Sequence, residues 1–145
     1  MKILLTLFAF AIAFIVQANV AAAPDLPKPV LAFRGQEHYE AGGNKMTRYH
    51  FEVANKEEFP AELFTASPDL PPCGTNTKAS RTWVDVYDQS GKRLNGFCAL
   101  SKPADLTKIW FALPQDEVPP SWVYIEMNDR KANTKQKSNL AETTM

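Results

Sequence analysis

Chemistry needs particular side chains within reach of one another, and this chain offers few: Cys73 and Cys98, His38 and His50, scattered carboxylates, and aromatic residues set among charges. A serine or thiol nucleophile is weak until a base stands within hydrogen-bond reach, and a transition metal needs several nitrogen or sulfur ligands. Neither histidine lies in a His-Glu-x-x-His pattern, and no Gly-x-Ser-x-Gly elbow occurs. His38 in "QEHYE" has Glu37 and Glu40 beside it, but neighbours along a strand point to opposite faces, so it reads as a solvated strand end. His50 alternates with charged residues and reads as an exposed position. No catalytic residue, metal site or cofactor is expected.

The cysteines are too far apart for the Cys-x-x-Cys spacing that lowers a thiol pKa, so a redox role is not expected. In an oxidising compartment they read as one structural disulfide, Cys73–Cys98. The loop so closed has about 25 residues, and chain entropy then contributes at most about 3.5 kcal/mol. The bridge would tether a proline-rich, hydrogen-bond-poor loop, "LPPCGTNTKAS", to the second strand of the hairpin that follows.

Carboxylates offer two further chemistries. Asp85 and Asp88 flank a turn, and Asp88 is the natural acceptor for that turn's own amides. The sharper alternative is a calcium site completed by Glu126 or Asp129, although calcium wants six to eight oxygens and no EF-hand pattern is present. Glycoside hydrolysis by two carboxylates is set in space rather than in sequence, and stands as the least favoured functional reading.

The aromatics form the clearest pattern. Val84 and Val86 alternate with Trp83, Asp85 and Tyr87; Ile109, Phe111 and Leu113 with Lys108 and Trp110; Val123, Ile125 and Met127 with Trp122, Tyr124 and Glu126. Each time the aliphatic residues share one face, and each tryptophan lies on the face that carries charge. If the aliphatic face is core, Trp83, Tyr87, Trp110, Trp122 and Tyr124 lie outward as flat stacking surfaces with a polar handle. The competing reading buries them against the disulfide or under the loop at 66–80.

The elements that position these residues are strands. "VLAFRGQEHY" and "RYHFEVAN" alternate around the turn "EAGGNKM", whose glycines tolerate positive φ. "FPAELF" is expected as a short strand pushed to an edge by Pro60. "RTWVDVYDQSGKRLNGFCAL" is a hairpin with Gly91 in the left-handed position and Gly96 marking a bulge or a close approach. "LTKIWFAL" and "SWVYIEMN" follow, separated by "PQDEVPP", and "SKPADL" has room for one helical turn. The fold expected is all-β: an antiparallel β-sandwich of about seven strands, immunoglobulin or fibronectin type III-like, with one disulfide.

The beginning of the chain reads differently. Lys2, an apolar run from Ile3 to Val16 and small residues to Ala23 have the layout of a secretory signal peptide, with cleavage expected after Ala22. The run falls short of the roughly 20 residues that span a bilayer, so no stable membrane insertion is expected once it is removed. Residues 1–22 are therefore assigned as signal peptide, 23–130 as a single β-sandwich domain, and 131–145 as a polar tail or final edge strand. What remains after cleavage, about 120 residues, is enough to bury about two thirds of the surface its unfolded chain would expose. Formal charge is zero, with 16 basic and 16 acidic residues, and the scattered cations lack the massed footprint that nucleic acid requires.

The segments "FPAELF", "SPDLPPCG", "SRTWVDVYDQSGKRLNGFCAL", "IWFALP" and "PPSWVYIEMNDR" with "SNL" resemble, in layout, small exported bacterial sandwich domains of fibronectin type III or immunoglobulin type. The resemblance implies the fold and a periplasmic or secreted location, and carries over no site residue. The functional expectation is a non-catalytic binding module that meets a protein or glycan partner through its aromatic face or a sheet edge. The nearest alternative is a structural or stress-related envelope protein without a dedicated ligand.

Overall fold

The computed structural model describes residues 25–75 and 78–144. The expected signal peptide, 1–22, lies outside the described residues. Among the described residues eight strands form two antiparallel sheets that pack as a sandwich: β1 (Leu31–Ala41), β2 (Asn44–Val53), β3 (Thr82–Asp88), β4 (Arg93–Phe97), β5 (Ile109–Pro114), β6 (Trp122–Asp129), β7 (Thr134–Lys137) and β8 (Ala141–Glu142). The smaller sheet has the order β1-β2-β5; the larger runs β4-β3-β6-β7, with β8 also on β6. Six of the seven expected strands are present.

Local chemistry sets the hairpins. Gly42 and Gly43 sit at φ 57° and 80° between β1 and β2, the backbone a two-residue primed turn demands. Between β3 and β4, Asp88 Oδ1 accepts from the Ser90 amide and hydroxyl and from the Lys92 amide at 2.6–3.0 Å, while Gly91 takes φ 89°. Those bonds, from the Ser90 hydroxyl first and then the Lys92 amide, hold the Asp88 carboxyl below its ordinary range.

The two sheets bury their aliphatic faces against each other. Val84 and Val86 of β3, Val123, Ile125 and Met127 of β6, Ile109 and Phe111 of β5, and Phe51 and Val53 of β2 are all fully buried. Each such side chain contributes about 1.5–3 kcal/mol relative to exposure. Tyr49, Phe51 and Phe111 stack within this layer at centroid distances of 4.9 and 5.9 Å.

One expectation needs correction, and for residues 131–145 the edge-strand alternative holds. "FPAELF" is not a strand: Pro60 caps a 3-10 turn, Ala61–Phe64, whose Leu63 and Phe64 plug the core. A proline followed by an apolar pair one turn later satisfies a short helical turn as well as an edge strand, and burial of that pair decides for the turn. The end of the chain also has something to bury. Ser138, Ala141 and Thr143 are buried, and β7 and β8 together form one edge strand along β6, so the alternation there is of small residues rather than large apolar ones. "SKPADL" does contribute a helical turn, as the 3-10 segment Pro103–Thr107 with Leu106 buried.

Side-chain amides join the two sheets at both sides. Asn139 accepts from the Leu31 amide at 2.8 Å and donates to the Leu31 carbonyl at 3.0 Å, mimicking a ladder partner for the start of β1. On the other side Asn95 of β4 donates to the Trp110 carbonyl of β5 at 2.7 Å. Asn139 reaches β1 because the edge strand bulges: Ser138 bonds Ile125, whereas Ala141 pairs Val123, leaving an extra residue between them.

Candidate functional site

The disulfide joins Cys73 to Cys98, with Cα atoms 5.5 Å apart, at the residue following β4. Ser80 secures the base of the loop. Its amide bonds the Cys98 carbonyl at 2.8 Å, and its hydroxyl donates to the Thr82 carbonyl and accepts from the Leu100 amide. The bridge thus fixes the proline-rich loop beside the larger sheet rather than forming a reactive centre.

Of the five aromatics, four share one surface. Trp83 and Tyr87 of β3 and Trp122 and Tyr124 of β6 all point to the outer face of the larger sheet, because the residues alternating with them fill the core. Tyr87 pairs directly with Tyr124, and the rings stack at 5.4 Å with planes 19° apart. Burial first, and then the charges of Asp85 and Glu126, push the Tyr87 hydroxyl pKa upward. Tyr124 is buried at 9% exposure and Trp122 stands out at 38%. Trp83 is half-buried and ties its indole N–H to the Ser80 carbonyl at 2.8 Å, next to the loop.

Trp110 belongs elsewhere. It lies on the outer face of the smaller sheet, opposite His50, and its ring and that of Tyr39 sandwich the Arg48 guanidinium at 4.7 and 4.5 Å. Arg48 also bonds Glu37 at 2.9 Å, and the same carboxylate oxygen lies 3.2 Å from His50 Nε2. Phe97 meets Trp110 edge-on at 6.1 Å. Both rings thus hold the chain's own cation, although the Arg48 Nε is buried without a hydrogen-bond partner. His38, exposed, lies 3.0 Å from the Thr47 hydroxyl through Nδ1.

Charges interleave with the aromatics on the larger sheet. Asp85 faces Glu126 across β3 and β6. Like charges in that position repel, and each is offset by a cation: Arg93 bonds Asp85 at 2.8 Å, and Lys135 lies 3.8 Å from Glu126. Gly96 makes the first of these possible, because a Cβ there would collide with the Arg93 guanidinium and come within 2.7 Å of Asp85 Oδ1. Asp129 does not join this pair. It turns to Arg81, which grips it through Nε and Nη2 at 2.8 and 2.6 Å, so three carboxylates do not converge on a cation site.

Two cations lie over aromatic rings: Arg130 over Trp83 at 4.2 Å and Lys137 over Tyr124 at 3.8 Å. The β6–β7 turn, with Asn133 at φ 54°, and Leu70 of the proline-rich loop border a depression of about 330 Å³ at the Trp83 end of the face. The sequence does not single out these flanking cations, because 131–145 reads as a polar tail or final edge strand and nothing local sets them beside the aromatics. The clue available was four cations, Arg130, Lys131, Lys135 and Lys137, without one acid among them. No protein-family model matches the chain, and no curated protein or solved structure is similar enough to match it.

Proposed function

We propose that this chain is an exported, non-catalytic binding module whose ligand lies on the outer face of the larger sheet. One observation carries the reading: Trp83, Tyr87, Trp122 and Tyr124 share that face although the core is filled without them. Trp122 is exposed and Trp83 and Tyr87 are half-buried, so the face offers a ligand aromatic surface with polar handles. The Cys73–Cys98 bridge is compatible with export. The carboxylate pair Asp85–Glu126 supports binding over hydrolysis, since both groups are engaged by cations on an open sheet.

The test compares retention of wild type, Trp122→Ala and Trp110→Ala on a panel of immobilised glycans and envelope proteins. Trp122→Ala abolishes retention and Trp110→Ala preserves it. Loss on Trp110→Ala alone, or in neither variant, refutes the assignment of the face. A second reading has its own support: β1 runs 11 residues but is held on its free side only at Leu31, leaving the edge from Gln36 to Ala41 open for strand addition. Proline substitution at Gln36 separates the two, because it disturbs the edge and leaves the aromatic face intact.

A further inference from the structure

We infer that the ligand of this face is an anionic polysaccharide, bound where the Arg130–Lys137 strip borders Trp83; the inference rests on the reading above and adds the ligand's class. The chain as a whole carries equal numbers of acidic and basic residues, yet this segment holds four cations and no acid. The depression beside it is lined by Arg130, Lys135, Asn128, Asn133 and Thr134, with Leu70 and Asp129. Its only carboxylate among the described residues, Asp129, is neutralised by the two-pronged grip of Arg81. What remains is rich in donors; Lys135 is shared with Glu126 at 3.8 Å, and Arg130, in no ion pair among the described residues, supplies the positive charge suited to a carboxylate or sulfate with neighbouring hydroxyls.

The aromatic neighbours set the ligand's shape. Trp83 pairs across the sheet with Asn128, and Asn128 with Lys135, so an indole, an amide and an ammonium form one row. Arg130 now covers the indole at 4.2 Å. An anionic sugar draws the guanidinium toward its carboxylate and takes the ring face itself. Farther along the face Lys137 lies over the buried Tyr124 ring at 3.8 Å, so an extended polymer meets a second cation there. An acidic peptide fits less well. The lysines of β7 and the bulge beyond Ser138 block the backbone pairing on which an extended peptide relies.

The edge-guarding role of Lys135 and Lys137 does not account for Arg130, which lies outside the strand and on a tryptophan. The experiment uses the mature chain with its disulfide intact and four probes: an oligogalacturonate, its neutral methyl ester, a neutral glucan and polyglutamate. Calorimetry shows binding of the oligogalacturonate, weakened by about 0.5 M salt, with the methyl ester at least about tenfold weaker. Arg130→Gln combined with Lys135→Gln lowers affinity about tenfold, equivalent to about 1.4 kcal/mol. An unchanged melting temperature establishes that the exposed substitutions leave the fold intact. Equal binding of ester and acid overturns the anionic assignment while preserving a sugar-binding face. Preference for polyglutamate overturns the glycan assignment. Binding of the acid that ignores both Trp83→Ala and the cation variant removes the site. Absence of any binding, with Trp122→Ala still losing retention on the protein panel, defeats this inference alone.

Discussion

Replacing Asp129 by alanine is the perturbation that reaches deepest into how this chain holds its face in place. Asp129 ends β6, is fully buried at its side chain, and accepts four hydrogen bonds: two from Arg81 at 2.8 and 2.6 Å, and two from the Lys131 and Ala132 amides at 3.1 and 3.0 Å. Truncation leaves a largely buried guanidinium without a partner and frees the turn that displays Arg130. Breaking such a pair costs about 3–5 kcal/mol, against about 0–1 for an exposed pair. At a urea m-value of about 2 kcal/mol/M, the midpoint falls by about 1.5–2.5 M.

The same carboxylate gives the loss a pH signature. Burial pushes its pKa up, but the Arg81 hydrogen bonds and the two turn amides outweigh burial and hold it below the ordinary value of 3.8. A lowered folded-state pKa means stability that is fully present above the unfolded value, declines below it, and is lost as pH falls through the folded-state pKa. Wild type and Asp129→Ala therefore converge on acidification below about pH 4. Urea titrations followed by tryptophan fluorescence at pH 7 and at pH 3 measure both effects. A loss under about 1 kcal/mol at pH 7, or a gap between the proteins that does not shrink in acid, refutes the pair as an anchor. Arg81→Met with Asp129→Leu removes both charges and recovers most of the stability lost by the single change.

Other consequences follow from the same geometry. Reduction of Cys73–Cys98 lowers stability by up to about 3.5 kcal/mol, read from urea midpoints with and without reductant, and leaves strand content by circular dichroism unchanged. Asn139→Ala removes both bonds to Leu31 and costs about 1–3 kcal/mol; amide exchange at Leu31 accelerates while exchange in β3 tracks only the global change. Gly43→Val forces a β-branched residue to φ 80° and costs at least about 1–2 kcal/mol, measured by thermal melting.

Much of this was legible in the sequence, for a reason visible in particular strands. Where one face of a strand is buried and the other is not, as at Thr82–Asp88 and Trp122–Asp129, alternation names the core directly. The Asp88 turn was legible too, because its bonds are local. Pairing was not. That β3 lies between β4 and β6, and that Trp110 falls on the other sheet, depends on contacts distant in sequence, so the alternation that grouped five aromatics had no means of separating Trp110. For 134–142 the sequence leaves edge strand and tail undecided, because Ser138, Ala141 and Thr143 bury small groups held by hydrogen bonds, which leave no apolar period. "FPAELF" misled because six residues carry too little period to separate a strand from a 3-10 turn.

The central claim is that the outer face of the larger sheet receives the ligand, and the chain's three tryptophans make one measurement decisive. In a ¹⁵N–¹H spectrum each indole N–H gives its own resonance, with Trp83 and Trp122 on that face and Trp110 on the opposite sheet as an internal control. Titration with oligogalacturonate shifts the Trp83 and Trp122 resonances in step with saturation and leaves Trp110 where it was. Movement of Trp110 alone, or three resonances that stay fixed while calorimetry records binding, contradicts the account.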